Sequence, residues 1–217
     1  MQPKVKICCI SSPAEAQMAI RAGASALGLV AEMPSGPGVI SDEMIRAIAR
    51  SVPPPVATFL LTSRTDATGI ATHQQATGAN TVQIVDALTA GSYAELRTAL
   101  PGIALVQVVH VIDEASIDEA LAIAPQVDAL LLDSGNPNLA VKELGGTGRV
   151  HNWAISRRIV EQSGVPVFLA GGLRPDNVQA AVEAVQPWGL DLCSGVRTEG
   201  RLDEQKLAAF FAALAAL

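Results

Sequence analysis

Two textures alternate along this chain. Short runs in which nearly every position is apolar give way to longer stretches whose apolar positions recur every three or four residues. Runs of the first kind fall at residues 5–10, 26–31, 56–62, 81–85, 104–111, 129–133, 165–170 and 190–194. A run of that length with no polar alternate face predicts a strand buried on both sides, as in a parallel sheet covered by helices. The intervening stretches carry helix signals. Ser12 can cap, Pro13 suits a first turn, Glu15 can close a capping box, and Gly23 marks the end. Further helices are marked by Ser41-Asp42-Glu43-Met44, Ser92-Tyr93-Ala94-Glu95, residues 113–124 and Pro175-Asp176-Asn177-Val178. The alanine-rich residues 203–217, with a periodic apolar face, close the series.

Eight strand and helix units in 217 residues leave only a few residues for each connection. That economy predicts a single domain, residues 1–217, of the α/β class, folded as a (β/α)8 TIM barrel. A doubly wound open sheet is the alternative, because counting strands does not establish closure. Small-residue turns after the late strands favour the barrel, where a phosphate site often follows strands seven and eight.

Composition narrows the function classes. Nearly half the residues, 49%, are apolar, yet no apolar stretch approaches the roughly 18 to 20 residues that cross a bilayer. The opening residues run straight into a strand without the apolar core of a signal peptide, so a soluble, cytoplasmic protein with no membrane partner is expected. Three cysteines, two of them adjacent, form neither a disulfide framework nor a zinc spacing, and His73, His110 and His151 are not spaced as ligands; no metal is expected. A net charge of −6 and an aromatic content of 3% argue against nucleic acid. A small phosphorylated ligand remains open, since backbone amides bind phosphate whatever the net charge.

The candidate chemistry sits at strand ends. Leu130-Leu131-Leu132 delivers Asp133 to the edge of the core, and the first strand delivers Cys8 in the same way. A carboxyl and a thiol facing one mouth suggest acid–base work. Cys9 is expected to face away from Cys8 by strand alternation, and Cys193 to pack in the core. Asp86, ending strand four, faces the expected mouth. Three small-residue turns, Gly145-Gly146-Thr147-Gly148, Ala170-Gly171-Gly172-Leu173 and Ser194-Gly195-Val196, read singly as tight turns and jointly as a phosphate cup.

These motifs, in order and spacing, resemble the phosphoribosylanthranilate isomerase family. Lys6-Ile7-Cys8-Cys9-Ile10 is similar to that family's Lys-Ile-Cys-Gly-Ile opening, and the Leu-Leu-Leu-Asp run, the Gly-Gly-Thr-Gly loop followed by Trp153, Leu169 to Leu173, Pro175 to Val178 and Ser194-Gly195-Val196 all have counterparts. The resemblance implies a cofactor-independent aldose–ketose isomerase of tryptophan biosynthesis. It would carry out an Amadori rearrangement of N-(5'-phosphoribosyl)anthranilate. Asp133 would protonate the furanose oxygen and Cys8 would take the C2' proton. Lys6, Gln83 and Asp86 would contact substrate, and Gly146, Thr147, Gly148, Gly171, Gly172, Ser194 and Gly195 would bind phosphate. A monomer or homodimer is expected.

The chain departs from that pattern on one side of the mouth. Gly38 stands where the family has an arginine for the anthranilate carboxylate, Val85 where it has histidine, Arg197 where it has glutamate, and Cys9 where it has glycine. Arg64 is a possible replacement cation. A different phosphosugar adduct, or a phosphate-binding relative without turnover, are the other readings.

Overall fold

The computed structural model describes residues 2–136, 138–144 and 151–217. Its strands are β1 (Lys4–Ile7), β2 (Ala26–Val30), β3 (Ala57–Thr62), β4 (Thr81–Ile84), β5 (Ala104–His110), β6 (Ala129–Asp133), β7 (Val167–Leu169) and β8 (Gly189–Leu192). The helices that follow them are α1 (Pro13–Ala22), α2 (Asp42–Ser51), α3 (Ala67–Thr77), α4 (Tyr93–Ala99), α5 (Ala115–Ile123), α6 (Trp153–Gln162), α7 (Val178–Val185) and α8 (Glu204–Ala215). Each strand pairs in parallel with the next, and β8 returns to β1 through the register Lys4↔Gly189 to Ile7↔Leu192. The sheet is a closed barrel, and the open-sheet alternative is excluded.

The serine signals act as caps. Ser12, Ser41 and Ser92 accept hydrogen bonds from the main-chain N–H groups of Glu15, Met44 and Glu95, and Gly23 ends α1 in a left-handed conformation. Two helices lack a marker among those singled out above. α3 begins at Asp66, which caps Gly69, but its buried side includes His73, Gln74 and Thr77, so polar residues mask its inward face. α6 is capped by Asn152. A short hairpin, β9 (Arg197–Thr198) with β10 (Arg201–Leu202), precedes α8.

Side chains alternate between two apolar layers, which is why each strand reads as continuously apolar. The outer layer, between strands and helices, holds Ile7, Leu27, Leu29, Leu60, Leu190 and Phe210 on one side and Ile84, Leu105, Val109 and Leu130 on the other. The inner layer holds Phe59, Val106, Leu131 and Phe168, with Phe59 and Phe168 meeting edge to face at 5.7 Å. Among the described residues no helix is long and apolar enough to cross a membrane.

Phe210 anchors α8 in the outer layer and is completely buried. Phe210→Ala is expected to lower unfolding free energy by about 3–5 kcal/mol, read as a lower urea midpoint with an unchanged slope.

Candidate active site

Inside the barrel the inward positions fall two apart on each strand. β1 and the turn after it give Lys6 and Cys8, and β8 and its turn give Asp191 and Cys193. The C-terminal ends and their loops line a cleft that is open to solvent at its mouth. Cys8 and Asp133 both line it. So do Gln83, Gly171, Gly172, Ser194 and Gly195, whereas Gly146, Thr147 and Gly148 lie outside the described residues.

The floor is ionic. Lys6 is 0% exposed, and its Nζ lies 2.8 Å from Asp191 Oδ1. That approach is an ion pair lacking aligned hydrogen-bond geometry. Burial works against the ammonium, but Asp191, and then Cys8, outweigh it and hold Lys6 charged well above its ordinary range. Lys6 is therefore fully buried behind the pocket wall, against Asp191 and close to Cys8, both of which line the cleft, so in this structure its charge reaches the pocket through those two neighbours. Gly28 of β2 makes the room. A Cβ there would stand 2.7 Å from Cys8 Sγ and 3.1 Å from Lys6 Nζ, so the absent side chain lets both groups crowd the same point.

Across the mouth, Asp133 is almost wholly buried, and burial raises its carboxyl above the usual range. The main-chain N–H of Ser134, donating to Oδ1 at 2.7 Å, and the nearby His110 only partly oppose that rise. His110 is paired with Asp133 in the β5–β6 register and its Nε2 donates to the Val85 carbonyl at 3.1 Å. It hydrogen-bonds within the barrel, as expected. Gln83 brings an amide oxygen, Oε1, that is buried and without a partner among the described residues. A buried acceptor left open on a pocket wall is a costly feature unless a ligand donor meets it. Likewise, among the described residues no acceptor is bonded to the main-chain N–H groups of Gly171, Gly172, Ser194 and Gly195. These form the polar end of the cleft opposite β4.

Three expectations need correction. Asp86 does not wall the pocket. Its Oδ2 is paired with Lys142 Nζ at 2.5 Å, so it is a neutralised carboxylate and no repulsive charge for an anion. Arg64 lines a separate surface depression with Glu32, Asp42 and His73. Cys9 does not face away from Cys8. The strand ends at Ile7, Cys9 takes a left-handed φ of 62°, and alternation stops applying there. Its side chain turns to the pocket and its Sγ lies 2.6 Å from Cys193 Sγ, and Cys193, which packs against the inner layer as expected, lines the rim as well.

Arg197 secures this turn. It is buried, and its Nη2 donates to the carbonyls of Cys8 at 3.0 Å and Cys9 at 2.6 Å, while Nη1 meets Glu15 at 3.2 Å. Burial raises Glu15 somewhat, but the Leu202 and Ser11 N–H groups and then Arg197 prevail and hold it below the ordinary carboxylate range. The departures from the family pattern are thus physically joined. Gly38, at φ +82°, has no space for a side chain, because a Cβ would stand 2.5 Å from Cys9 Cβ and 2.9 Å from Cys9 Sγ. The Cys9 side chain fills the position from which an arginine at 38 would project.

Asp191 and Lys142 were not picked out above. Asp191 does carry a sequence signal, a charge centred in the apolar Leu190 to Leu192 strand, since such a charge must be paired. Lys142 lies in a polar loop, and its partner is 56 residues away; nothing local marks it.

The model of the N-(5'-phosphoribosyl)anthranilate isomerase family matches residues 5–213. The N-(5'-phosphoribosyl)anthranilate isomerase 2 of Methanosarcina mazei is 36% identical over 209 residues, covering 95% of this chain and 92% of that protein. The Haloferax volcanii enzyme of the same name is 34% identical over 212 residues, covering 97% and 92%. The solved phosphoribosyl anthranilate isomerase of Thermotoga maritima has a TM-score of 0.81 and 26% identity, covering 99% of this chain and 100% of that one.

Gly28→Ala is expected to push the Cys8 sulfur aside while leaving the barrel folded. The check is the reaction of Cys8 with a small alkylating agent in the native protein, which should change several-fold at an unaltered far-UV spectrum.

Proposed function

The chain belongs to the N-(5'-phosphoribosyl)anthranilate isomerase family, and from that premise we propose how its residues divide the work of converting N-(5'-phosphoribosyl)anthranilate to 1-(2-carboxyphenylamino)-1-deoxyribulose 5-phosphate. The observation that carries the division is the meeting of Cys8 and Asp133 in one cleft whose far end offers main-chain N–H groups to which no acceptor is bonded among the described residues.

Asp133 gives its proton to the furanose ring oxygen, and the ring opens to a Schiff base. Burial suits it to the task, since a carboxyl raised above its usual range still carries a proton to give nearer neutral pH. Cys8, beside the Lys6 ammonium, takes the C2' proton. The resulting enolamine tautomerises to the ketone. The N–H groups of Gly171, Gly172, Ser194 and Gly195 hold the 5'-phosphate, and Gln83 Oε1 accepts from a substrate hydroxyl. No cofactor enters this sequence of steps.

The aglycone carboxylate needs a cation, and Gly38 supplies none. We assign that role to Lys142. It stands at the pocket rim, with its carbonyl accepting from Ser35 Oγ at 2.5 Å and its ammonium steered by Asp86. Ser35 and Leu144 on either side of it line the cleft. This reading replaces the expected direct contact from Asp86 with a contact through the lysine that Asp86 positions.

The test is turnover of freshly generated phosphoribosylanthranilate, followed as loss of anthranilate fluorescence. Wild type is expected to be active, and Cys8→Ser and Asp133→Asn each to lose about 10²-fold or more in kcat while remaining folded. Full activity in either variant would remove that residue from the proposal, and an inactive, folded wild type would remove the reaction. Separately, Lys142→Met is expected to raise KM about tenfold with kcat little changed, the loss of one charge-assisted contact made equally to substrate and transition state. An unchanged KM would exclude Lys142 as the carboxylate's partner.

A further inference from the structure

We propose that Cys9 and Cys193 form a dithiol that closes reversibly to a disulfide at the rim of the cleft, a modification site separate from the acid–base pair and independent of the reaction assigned above. The two sulfurs lie 2.6 Å apart, whereas a disulfide bond is about 2.05 Å long. Closure therefore needs a movement of only about half an ångström.

The surroundings fix that approach from both sides. Cys193 follows β8 directly, and the main-chain N–H of Cys8 donates to the Leu192 carbonyl at 2.7 Å, so the two strand ends cannot drift apart. Arg197 holds the Cys9 carbonyl and with it the left-handed turn that aims the Cys9 side chain inward. Gly38 leaves the Cys9 sulfur its space. Cys8 also interacts with the Cys9 thiol, but a bond between adjacent residues would close a strained eight-membered ring, whereas Cys193, 184 residues away in sequence, brings its sulfur to 2.6 Å.

The chemistry is asymmetric in a useful way. The Cys193 thiol is held below its ordinary value, first by the hydrogen bond from Cys9, which outweighs burial, with Arg197 assisting. The Cys9 thiol is pushed up first by that same bond, then by its hydrogen bond with Cys8, and then by burial. Cys193 is thus the attacking thiolate and Cys9 the thiol that resolves. With a hydroperoxide as oxidant, Cys193 attacks the peroxide oxygen, the O–O bond breaks, and the departing hydroxide takes a proton and leaves as water. Cys193 is then a sulfenic acid. Cys9 gives up its proton and attacks that sulfur, the S–S bond forms, the S–O bond breaks, and a second water leaves. Two thiols supply the two electrons that the peroxide gains. Both residues line the cleft, so an oxidant as small as hydrogen peroxide has access. An external dithiol reverses the bond by exchange.

The experiment treats the folded protein with a small excess of hydrogen peroxide, alkylates the remaining thiols under denaturing conditions, and maps the peptides by tandem mass spectrometry. Expected are a cross-linked peptide pair joining Cys9 to Cys193, Cys8 recovered in alkylated form, and loss of the cross-link after dithiothreitol. The cross-link should persist in Cys8→Ser and vanish in Cys193→Ser and in Cys9→Gly, a replacement that suits the left-handed turn. A cross-link through Cys8, thiols oxidised one by one to sulfinic acids without a cross-link, or three unreacted thiols would each overturn the proposal.

Discussion

A single buried ion pair joins the beginning of this sheet to its end. Lys6 and Asp191 face each other in the register that pairs β1 with β8, and the lysine has no contact with water. Neither charge is tolerable there alone, and removing one partner of such a pair typically costs about 3–5 kcal/mol. Closing the barrel and neutralising its interior are therefore the same event. The pair also sets the electrostatics of the cleft above it, because Cys8 and Asp133 both lie within its field.

Above that floor, the residues that depart from the family pattern form one mechanical unit. Cys9 in place of glycine takes a backbone conformation that costs an L-residue roughly 1–2 kcal/mol, and Arg197, in place of glutamate, holds its carbonyl. Glu15 at the start of α1 compensates the guanidinium. Gly38 yields its side-chain volume to Cys9. Each substitution looks like an isolated loss when read along the sequence; in three dimensions they fit one another, and the carboxylate end of the pocket is left to a different loop.

The parts legible in the sequence are those governed by local rules. Continuous apolar runs gave away strands covered on both faces, serine caps marked α1, α2 and α4, and Cys8 and Asp133 were found because such a run delivers each to the barrel mouth. What escaped depends on long-range pairing. The direction of Cys9 followed strand alternation on the assumption that the strand continued past Ile7, and only the left-handed turn shows that it does not. Asp86 looked like a free charge because Lys142 is distant in sequence. The pairing of Lys6 stayed hidden because its partner Asp191 is fixed by barrel closure, a property of the whole sheet. α3 went unmarked because its inward face is partly polar.

The clamp from Arg197 reaches back across 189 residues to the Cys8 carbonyl, and Lys6 waits for Asp191 over nearly the same distance. A nascent chain extruded at about 5–20 residues per second carries its first strand outside the ribosome for on the order of ten seconds before either partner exists. During that interval Lys6 lacks its counter-charge and the Cys8–Cys9 turn lacks its clamp. The cleft is closed on this side only when β8 and the hairpin after it have joined β1.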